Sequence, residues 1–190
     1  MRVIAGTAGG LRLFAPRTGV RPTMDRVKAA IFSSLGERVI GARVLDLFAG
    51  TGALGIEALS RGACSVTFVE NNRQAIATIE RNLAQTGLSG RICKQDVFAF
   101  LNRGSRAEVN DLILADPPYE SHDHGDNFTE LLLQNDQLPR RLTTEGIFVL
   151  EKRPGEQLPP TDLWETVRQK TYGATETIFL QRKSNRASKS

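Results

Sequence analysis

The segment Asp116-Pro117-Pro118-Tyr119 has the composition of a site that holds a planar amine. It directly follows residues 112–115, an apolar run typical of a buried strand. The Asp116 carboxylate can accept one N–H of an NH2 group, and the carbonyl of Pro117 can accept the other in a turn that proline stiffens. Tyr119 offers a ring face on which a base can stack. The segment predicts an acceptor site for an exocyclic amine, and the alternative is an ordinary rigid turn.

A glycine-rich segment, residues 46–55, lies upstream and reads Asp-Leu-Phe-Ala-Gly-Thr-Gly-Ala-Leu-Gly. Its GxGxxG spacing alone fits a dinucleotide dehydrogenase equally well, because the glycines allow close approach of a cofactor to the backbone before a helix. Asp46 shifts the balance, since a carboxylate is unfavourable beside a pyrophosphate but suits the cationic amino group of S-adenosylmethionine. The segment therefore predicts a methyl-donor site.

Acids follow three successive predicted strands: Asp46, Glu70 and Asp96. Glu70 can bind two ribose hydroxyls in either class of cofactor, and Asp96 can accept a hydrogen bond from the adenine amino group. The carboxyl ends of parallel strands form the sheet edge where ligands bind, so three acids in register predict a cofactor site there. The alternative for each acid alone is a helix N-cap or a solvated turn.

The pattern of the remaining sequence predicts an α/β fold with a mostly parallel sheet covered on both faces. The predicted strands are 43–47, 65–70, 90–94, 111–115 and 146–150, and the predicted helices are 23–35, 53–60, 73–84, 97–101 and 128–133. Residues 166–171 and 176–181 predict a closing hairpin with an antiparallel edge strand, and residues 1–20 a small hairpin around Gly9-Gly10. In such a sheet Asp116 ends the fourth strand, beside the first, so the amine site adjoins the methyl-donor site.

The length and charge of the chain predict its domain organisation and the class of its partner. A chain of 190 residues with 40% hydrophobic residues predicts one domain, residues 1–182, with an N-terminal extension (1–40), a core (41–182) and a basic, disordered tail at 183–190. The first 40 residues carry seven basic and two acidic side chains, and the last nine carry four basic and no acidic ones. Since the whole chain has a net charge of +4, the part between the two ends is acidic, at −5. Basic ends on an acidic body predict a polyanionic partner.

Other features of the sequence predict a cytoplasmic protein without a metal. Apolar runs of membrane-spanning length and a signal-peptide core are both absent from the sequence. Cys64 and Cys93 are predicted to be buried, reduced thiols, and Trp164 to fill the core. His122 and His124, in a loop with two aspartates, are interpreted as part of a flap or plain loop rather than a metal site.

Several segments give the chain a resemblance to a known family. Residues 46–52 and 116–119 resemble class I S-adenosylmethionine-dependent methyltransferases that modify exocyclic amines. The N-terminal part narrows the resemblance to the bacterial RsmD family, 16S ribosomal RNA guanine-N2 methyltransferases of the small subunit. It rests on Arg2-Val-Ile-Ala-Gly, Gly10-Leu-Arg-Leu, Arg21-Pro-Thr-Met-Asp-Arg-Val, Leu54-Gly-Ile-Glu-Ala-Leu-Ser-Arg and Tyr172-Gly-Ala-Thr, and it covers residues 2–181. DNA adenine methyltransferases share Asp-Pro-Pro-Tyr, so Arg-Pro-Thr-x-Asp-Arg is the specific signal.

The resemblance implies a Rossmann-like class I methyltransferase fold with seven strands and, as partner, 16S rRNA, the small subunit or an assembly intermediate. The chain is also predicted to be a monomer. The residues that would hold S-adenosylmethionine are Asp46, Phe48, Ala49, Gly50, Gly52, Glu70, Asn71, Asp96, Val97, Thr23 and Arg26. The residues that would hold guanine and act on it are Asp116, Pro117, Pro118 and Tyr119. The residues that would face RNA are Arg2, Arg12, Arg17, Arg21 and Lys28.

Three alternatives stay open on the sequence. A DNA adenine-N6 methyltransferase would share the motifs but would need a larger target-recognition region. A protein glutamine methyltransferase fits less well, since the basic ends suit a polyanion. A non-catalytic RNA-binding assembly factor would keep the cofactor pocket and lose turnover.

Overall fold

The computed structural model describes residues 1–15, 23–103, 108–118 and 127–183. The helices are α1 (Thr23–Leu35), α2 (Ala53–Ser60), α3 (Arg73–Thr86), α4 (Val97–Leu101) and α5 (Phe128–Gln134), with short 3-10 turns at Gly36–Val39 and Pro139–Arg141. The strands are β1 (Arg43–Leu47), β2 (Ser65–Glu70), β3 (Arg91–Lys94), β4 (Asn110–Ala115), β5 (Leu142–Lys152), β6 (Trp164–Tyr172) and β7 (Thr175–Arg182).

Within this part of the chain, seven strands form one sheet in the order β3-β2-β1-β4-β5-β7-β6. Neighbours from β3 to β5 are parallel, whereas β7 pairs antiparallel with both β5 and β6. The chain order reverses between β1 and β4, which places their carboxyl ends at the switch point where ligands bind in such sheets. The expected α/β fold with antiparallel C-terminal strands is confirmed.

The apolar strands bury side chains on both faces of the sheet. On one face, Val44, Leu112 and Val149 pack with α1, α2 and α3. On the other, Leu45 and Ile113 pack with α4 and α5. Since successive side chains of a strand alternate between faces, the face of any residue beyond a strand end follows from this register. Within the described residues, no helix is long and apolar enough to span a membrane.

The predicted bounds differ from the observed ones mainly where polar residues continue a strand. β5 starts at Leu142 instead of residue 146, because Leu142 pairs with Asn110 of β4. The register then shifts, so that the polar residues 143–145 lie in an irregular stretch before Ile147 pairs with Leu112. The expected N-terminal hairpin consists, in the described part, of one antiparallel bridge between Arg2 and Arg12.

Two predictions about single residues have opposite outcomes. Trp164 is buried, with its ring centroid 5.1 Å from that of Phe148, so its prediction as a core residue is confirmed. The prediction of buried thiols is wrong for Cys64, which is exposed in the turn before β2, and Cys93 is only partly buried. Cys93 lies on β3, which forms an edge of the sheet and is covered less completely than the central strands.

Buried polar side chains of α2 and α3 hold the N-terminal segment against the sheet. The Glu57 carboxylate accepts backbone hydrogen bonds from Ile4 (2.7 Å) and Ala5 (3.1 Å). Ser60 Oγ accepts from the backbone of Ala8 and donates to the carbonyl of Ala5. Because the buried donors and acceptors satisfy each other, the segment has one defined path across α2.

Asn82 of α3 extends this attachment to the glycine loop. Its Oδ1 accepts a hydrogen bond from the Phe14 backbone at 2.7 Å. Its Nδ2 donates to the carbonyls of Phe14 (3.0 Å) and Thr51 (2.9 Å). One buried amide therefore joins the N-terminal segment to the glycine loop.

Gly6 tests this packing, with Gly10 as a matched control. Both glycines have a positive φ, +86° for Gly6 and +87° for Gly10. A Cβ on Gly6 would lie 1.7 Å from the Ser60 carbonyl oxygen, whereas a Cβ on Gly10 would have no atom within 4 Å. We expect Gly10→Ala to cost about 1 to 2 kcal/mol of unfolding free energy from the positive φ alone. Gly6→Ala should cost about 3 kcal/mol or more, because the backbones must separate. Urea unfolding of both variants measures this difference, and equal losses would contradict the docking described above.

Candidate active site

Three carboxyl groups from neighbouring strands share one face at the switch point. On β1, Asp46 follows Val44 at a spacing of two. Beyond β4, Asp116 continues the alternation of Leu112 and Leu114, and on β5 Glu151 continues that of Val149. All three therefore lie on the face covered by α1 and α2. Asp46 and Glu151 are buried, at 1% and 8% exposure, and Asp116 is partly buried.

A cavity of about 410 Å³ opens on these carboxyls, and we call it the glycine-loop cavity. Its lining is Met1, Met24, Val27, Lys28, Asp46, Phe48, Ala49, Gly50, Thr51, Ala53, Leu54, Asp116, Pro117, Pro118, Glu151 and Thr175. It brings together the predicted donor loop and the predicted acceptor motif. Its volume falls in the range of about 300 to 1,000 Å³ typical of small-molecule sites.

The glycine loop passes closely around Asp46. Phe48 has φ +54°, and Gly50 and Gly52 have φ +55° and +77°. The backbone N–H of Gly55 donates to Asp46 Oδ2 at 2.9 Å, and a Cβ on Gly55 would lie 2.9 Å from the same oxygen and 2.3 Å from the Phe68 ring. Only glycine fits there, so Gly55 lets α2 pack against β1 and β2.

Glu70 makes a contact that the sequence did not predict. Its Oε2 accepts from the Gly50 backbone at 2.8 Å, and its Oε1 accepts from the backbones of Asn71 (3.0 Å) and Asn72 (2.9 Å). The carboxylate thus fixes the glycine loop and the start of α3 relative to each other. Each oxygen keeps further lone-pair capacity, and its role toward ribose hydroxyls stays a prediction.

Asp96 serves as a helix cap. Its Oδ1 accepts from the Ala99 backbone at 2.9 Å at the start of α4, and Val97 behind it is buried. The alternative prediction for Asp96, a helix N-cap, is therefore observed, while a second role toward adenine stays a prediction.

Aromatic rings from three elements meet near the glycine loop. The ring centroid of Phe48 lies 6.2 Å from that of Phe98 and 5.4 Å from that of Phe128. These aromatic residues were not predicted as a group, because three different elements contribute them.

Burial controls the charge of the carboxyl cluster. It raises the pKa of Asp116 to about 6. It raises the pKa of Asp46 well above its ordinary value, and the nearby acids Asp116 and Glu70 add to the rise against the Gly55 hydrogen bond. Burial likewise raises the pKa of Glu151, with Asp116 and Asp46 adding to it. Mutual repulsion at low solvent exposure makes this cluster a favourable place for a cation.

A second cavity of about 410 Å³, which we call the proline cavity, lies on the other side of the Asp116 motif. It is lined by Pro117, Pro118, Asn127, Phe128, Thr129, Glu151, Lys152, Arg153, Pro154, Gly155 and Glu156. Lys152 holds its far wall, since its Nζ donates to the carbonyls of Arg153 (3.1 Å) and Glu156 (2.8 Å) and pairs with Glu176. Glu151 was not predicted for this site, although it is an acid at a strand end like the three that were.

The predicted RNA-facing residues separate into three groups. Arg2 and Arg12 are exposed, as is Arg26, which was predicted to lie at the cofactor. Several predicted residues lie outside the described part of the chain: Arg17, Arg21, Tyr119, His122 and His124. Thr23, predicted to lie at the cofactor, is the first residue of α1. In the part of the chain that the structure describes, no three or more His, Cys, Asp or Glu side chains lie together in a way that could hold a metal ion.

Lys28 is a correction. It is 3% exposed, its Nζ donates to the Arg2 carbonyl at 2.6 Å and lies 3.5 Å from Glu57 Oε2, and it lines the glycine-loop cavity. It therefore does not face RNA. Burial lowers its pKa against the opposing effect of Glu57. The sequence misled here because basic residues near Lys28 are exposed, whereas helix periodicity turns Lys28 inward beside Val27.

The pH dependence of stability tests the burial of Asp116. An acid whose pKa rises on folding stabilises the folded state only below its unfolded value, and this contribution is lost as pH rises through the folded value. Between pH of about 4 and about 6 we therefore expect the unfolding free energy to decrease. Asp116→Asn should remove the part of this loss that Asp116 causes and, at pH 8, gain up to about 2 to 3 kcal/mol of unfolding free energy over the native chain.

Urea unfolding at pH 5 and pH 8 measures the effect. Asp162→Asn is the control, because the Asp162 side chain is fully exposed. No gain for Asp116→Asn at pH 8 would contradict a buried, destabilised carboxylate.

Comparisons with known proteins identify the family of the chain. The family model described as "Conserved hypothetical protein 95" matches residues 1–181. The "Putative rRNA methyltransferase YlbH" of Bacillus subtilis is 37% identical over 96% of this chain and 100% of its own length. The "Ribosomal RNA small subunit methyltransferase D" of Escherichia coli K12 is 31% identical over 97% of this chain and 91% of its own.

The solved structure "Putative methyltransferase yhhF from Escherichia coli" has a TM-score of 0.79 at 31% identity, covering 96% of this chain and 98% of that one. The match spans the N-terminal segment, the glycine loop, the Asp116 motif and the closing strands together. The chain belongs to the Conserved hypothetical protein 95 family, the RsmD family of rRNA methyltransferases.

Proposed function

We propose that this protein transfers a methyl group from S-adenosylmethionine to the exocyclic N2 amine of one guanine in the 16S rRNA of the small ribosomal subunit. The observation that carries the proposal is the position of the Asp116 motif between two cavities. Asp116, Asp46 and the glycine loop line one cavity, and Pro117 and Pro118 line both. A donor in the glycine-loop cavity and a flat acceptor in the proline cavity would meet at the residues that line both.

The glycine-loop cavity fits the cofactor. S-adenosylmethionine carries a sulfonium and an ammonium, and supplies an electrophilic methyl group when it is bound. The buried carboxyls of Asp46 and Glu151 line the cavity, where they suit its positive charge. The backbone around Gly50 has open space, since a Cβ there would meet only one atom within 4 Å, at 3.9 Å. Phe48, Ala49 and Gly52 complete the loop, and Glu70, Asn71, Asp96 and Val97 lie at the next strand ends.

The Asp116 motif suits the acceptor. A purine amine is a weak nucleophile, because its lone pair is delocalised into the ring. Hydrogen bonds from its two N–H groups to the Asp116 carboxylate and the Pro117 carbonyl favour a pyramidal nitrogen with its lone pair free. Pro118 and the predicted stacking residue Tyr119 would hold the ring. The contribution of the protein is orientation and electrostatics, without a covalent intermediate.

The Asp116 carboxyl also matches the proton balance. As the N2–C bond forms, the electron pair of the breaking S–C bond stays on sulfur, and N2 must lose one proton. A carboxyl with a pKa of about 6 is mostly ionised near neutral pH and can accept this proton before releasing it to water.

The partner follows from charge and from the relatives. Arg2 and Arg12 are exposed on the bridge of the N-terminal segment, which Glu57 and Asn82 attach beside the glycine loop. Arg17 and Arg21, which lie outside the described residues, stay predicted RNA contacts. The target base must be unstacked at a cost of about a few kcal/mol, and phosphate contacts from these arginines would contribute to offsetting it. We propose that the protein acts as a cytoplasmic monomer on the small subunit or an assembly intermediate.

Radiolabelled S-adenosylmethionine tests the reaction. Small subunits from a strain that lacks its own guanine-N2 activity are incubated with the purified protein, and the RNA is digested to nucleosides. We expect label in N2-methylguanosine at one site. Label in an adenine or in protein would overturn the substrate, and absence of label with bound cofactor would favour a non-catalytic binding factor.

Asp116→Asn tests the acceptor geometry. The amide keeps the shape but donates where the carboxylate accepts, so we expect kcat to fall by about 10²- to 10³-fold. Cofactor affinity, measured by calorimetry, should change much less. Asp162→Asn, with its fully exposed side chain, should retain native turnover. Native turnover in Asp116→Asn would show that this carboxyl does not orient the amine.

The salt dependence of RNA binding tests the basic surface. Removing one phosphate contact with Arg12→Ala should weaken binding and reduce the slope of log K against log salt by about one unit. Arg140→Ala makes the same charge change in the turn before β5, at the amino end of that strand and away from the carboxyl ends that carry the site, and should leave the slope unchanged. Equal slopes for both variants would contradict an RNA contact at Arg12.

A further inference from the structure

Three residues form the wall shared by the two cavities: Pro117, Pro118 and Glu151. Of these, only Glu151 carries an ionisable side chain. It lies on β5 directly beyond Leu150, which pairs with Ala115, just as Asp116 lies directly beyond Ala115 on β4. Glu151 and Asp116 are therefore lateral neighbours on the same face of the sheet.

The Glu151 carboxyl is buried and has no cationic neighbour in the described part of the chain. It is 8% exposed, and none of the described residues donates a hydrogen bond to it. Its electrostatic neighbours are the acids Asp116 and Asp46. The next residue, Lys152, contacts Glu176 and the 153–156 loop instead. A buried carboxyl in this position is costly unless a ligand supplies a donor.

Guanine presents a matching donor next to the amine. Its N1–H lies beside the N2 amine on the same edge, so holding N2 at Asp116 directs N1–H toward a neighbouring group. A buried N1–H without an acceptor would cost the same kind of penalty as the unpaired carboxyl. The N1–H needs an acceptor and the Glu151 carboxyl needs a donor, so a hydrogen bond between them at the shared wall would satisfy both.

We infer that Glu151 is the residue that selects guanine, by accepting the N1–H hydrogen bond while Asp116 and Pro117 hold the N2 amine. The inference rests on the proposed function and names a residue for its substrate choice. Purines that carry a lone pair at N1, including adenine and 2-aminopurine, are disfavoured because that lone pair faces carboxylate oxygens. The N1–H hydrogen bond also favours the ionised form of Glu151 and opposes the rise of its pKa on burial.

2-Aminopurine separates recognition of N1 from recognition of the amine, since it has the exocyclic 2-amine but a lone pair at N1. Small subunits are reconstituted with 16S rRNA that carries guanine or 2-aminopurine at the position identified by the radiolabel experiment. Methyl transfer to both substrates is measured for the native protein, Glu151→Gln and the control Glu165→Gln. Glu165 is exposed at the start of β6, far from the shared wall in the topology.

The native protein should prefer guanine over 2-aminopurine by roughly 10- to 100-fold. A glutamine can accept from N1–H through its oxygen or donate to an N1 lone pair through its amide. Glu151→Gln should therefore keep part of the guanine activity and gain activity on 2-aminopurine, which lowers the preference by about tenfold or more. Glu165→Gln should keep the native preference.

Two results would overturn the inference. One is an unchanged preference in Glu151→Gln with both rates reduced alike, which is what a structural or general electrostatic role predicts. The other is a loss of cofactor affinity with an unchanged preference, which would assign Glu151 to the donor side alone. Failure of the native protein to methylate guanine at N2 would instead overturn the proposed function, so the two failures are distinguishable.

Discussion

The crowding of like charges at the ends of β1, β4 and β5 is the constraint on which the site depends. Asp46, Asp116 and Glu151 share one face, and burial raises the pKa of each. Carboxyls in such a place reduce the stability of the folded chain near neutral pH. The same arrangement favours a ligand that brings positive charge to one side and N–H donors to the other. The free energy that the fold loses is thus recoverable on binding.

Glu57, a buried carboxylate outside this cluster, has the opposite role. It is fully satisfied, since it accepts from the backbones of Ile4 and Ala5 and pairs with Arg61 (2.7 Å) and Lys28. It therefore costs little and fixes the N-terminal segment to α2. Asn82 continues the attachment to the glycine loop, so that the exposed Arg2 and Arg12 keep a defined position relative to the cavities. The N-terminal segment and the glycine loop are thus held in one fixed arrangement.

Much of the fold could be predicted because its signals are local. Apolar runs gave β1 and β2 their observed bounds, and capping and periodicity did the same for α1, α2 and α4. The early start of β5 could not be read in this way, because it depends on the pairing of Leu142 with Asn110, after which the polar residues 143–145 interrupt the apolar pattern. Cys64 was misplaced for a related reason, as exposure at a turn depends on what packs over it.

The sequence by itself determined the strand and helix order, the glycine loop, the Asp116 motif and the acids at strand ends, because each depends on neighbours along the chain. The tertiary structure alone decided which of these groups share a cavity. It turned Lys28 inward to Glu57, used Asp96 as the cap of α4, and brought Glu151 beside Asp116 across two strands. The physical reason is that burial and lateral strand register depend on contacts between residues far apart in sequence, which no local pattern encodes.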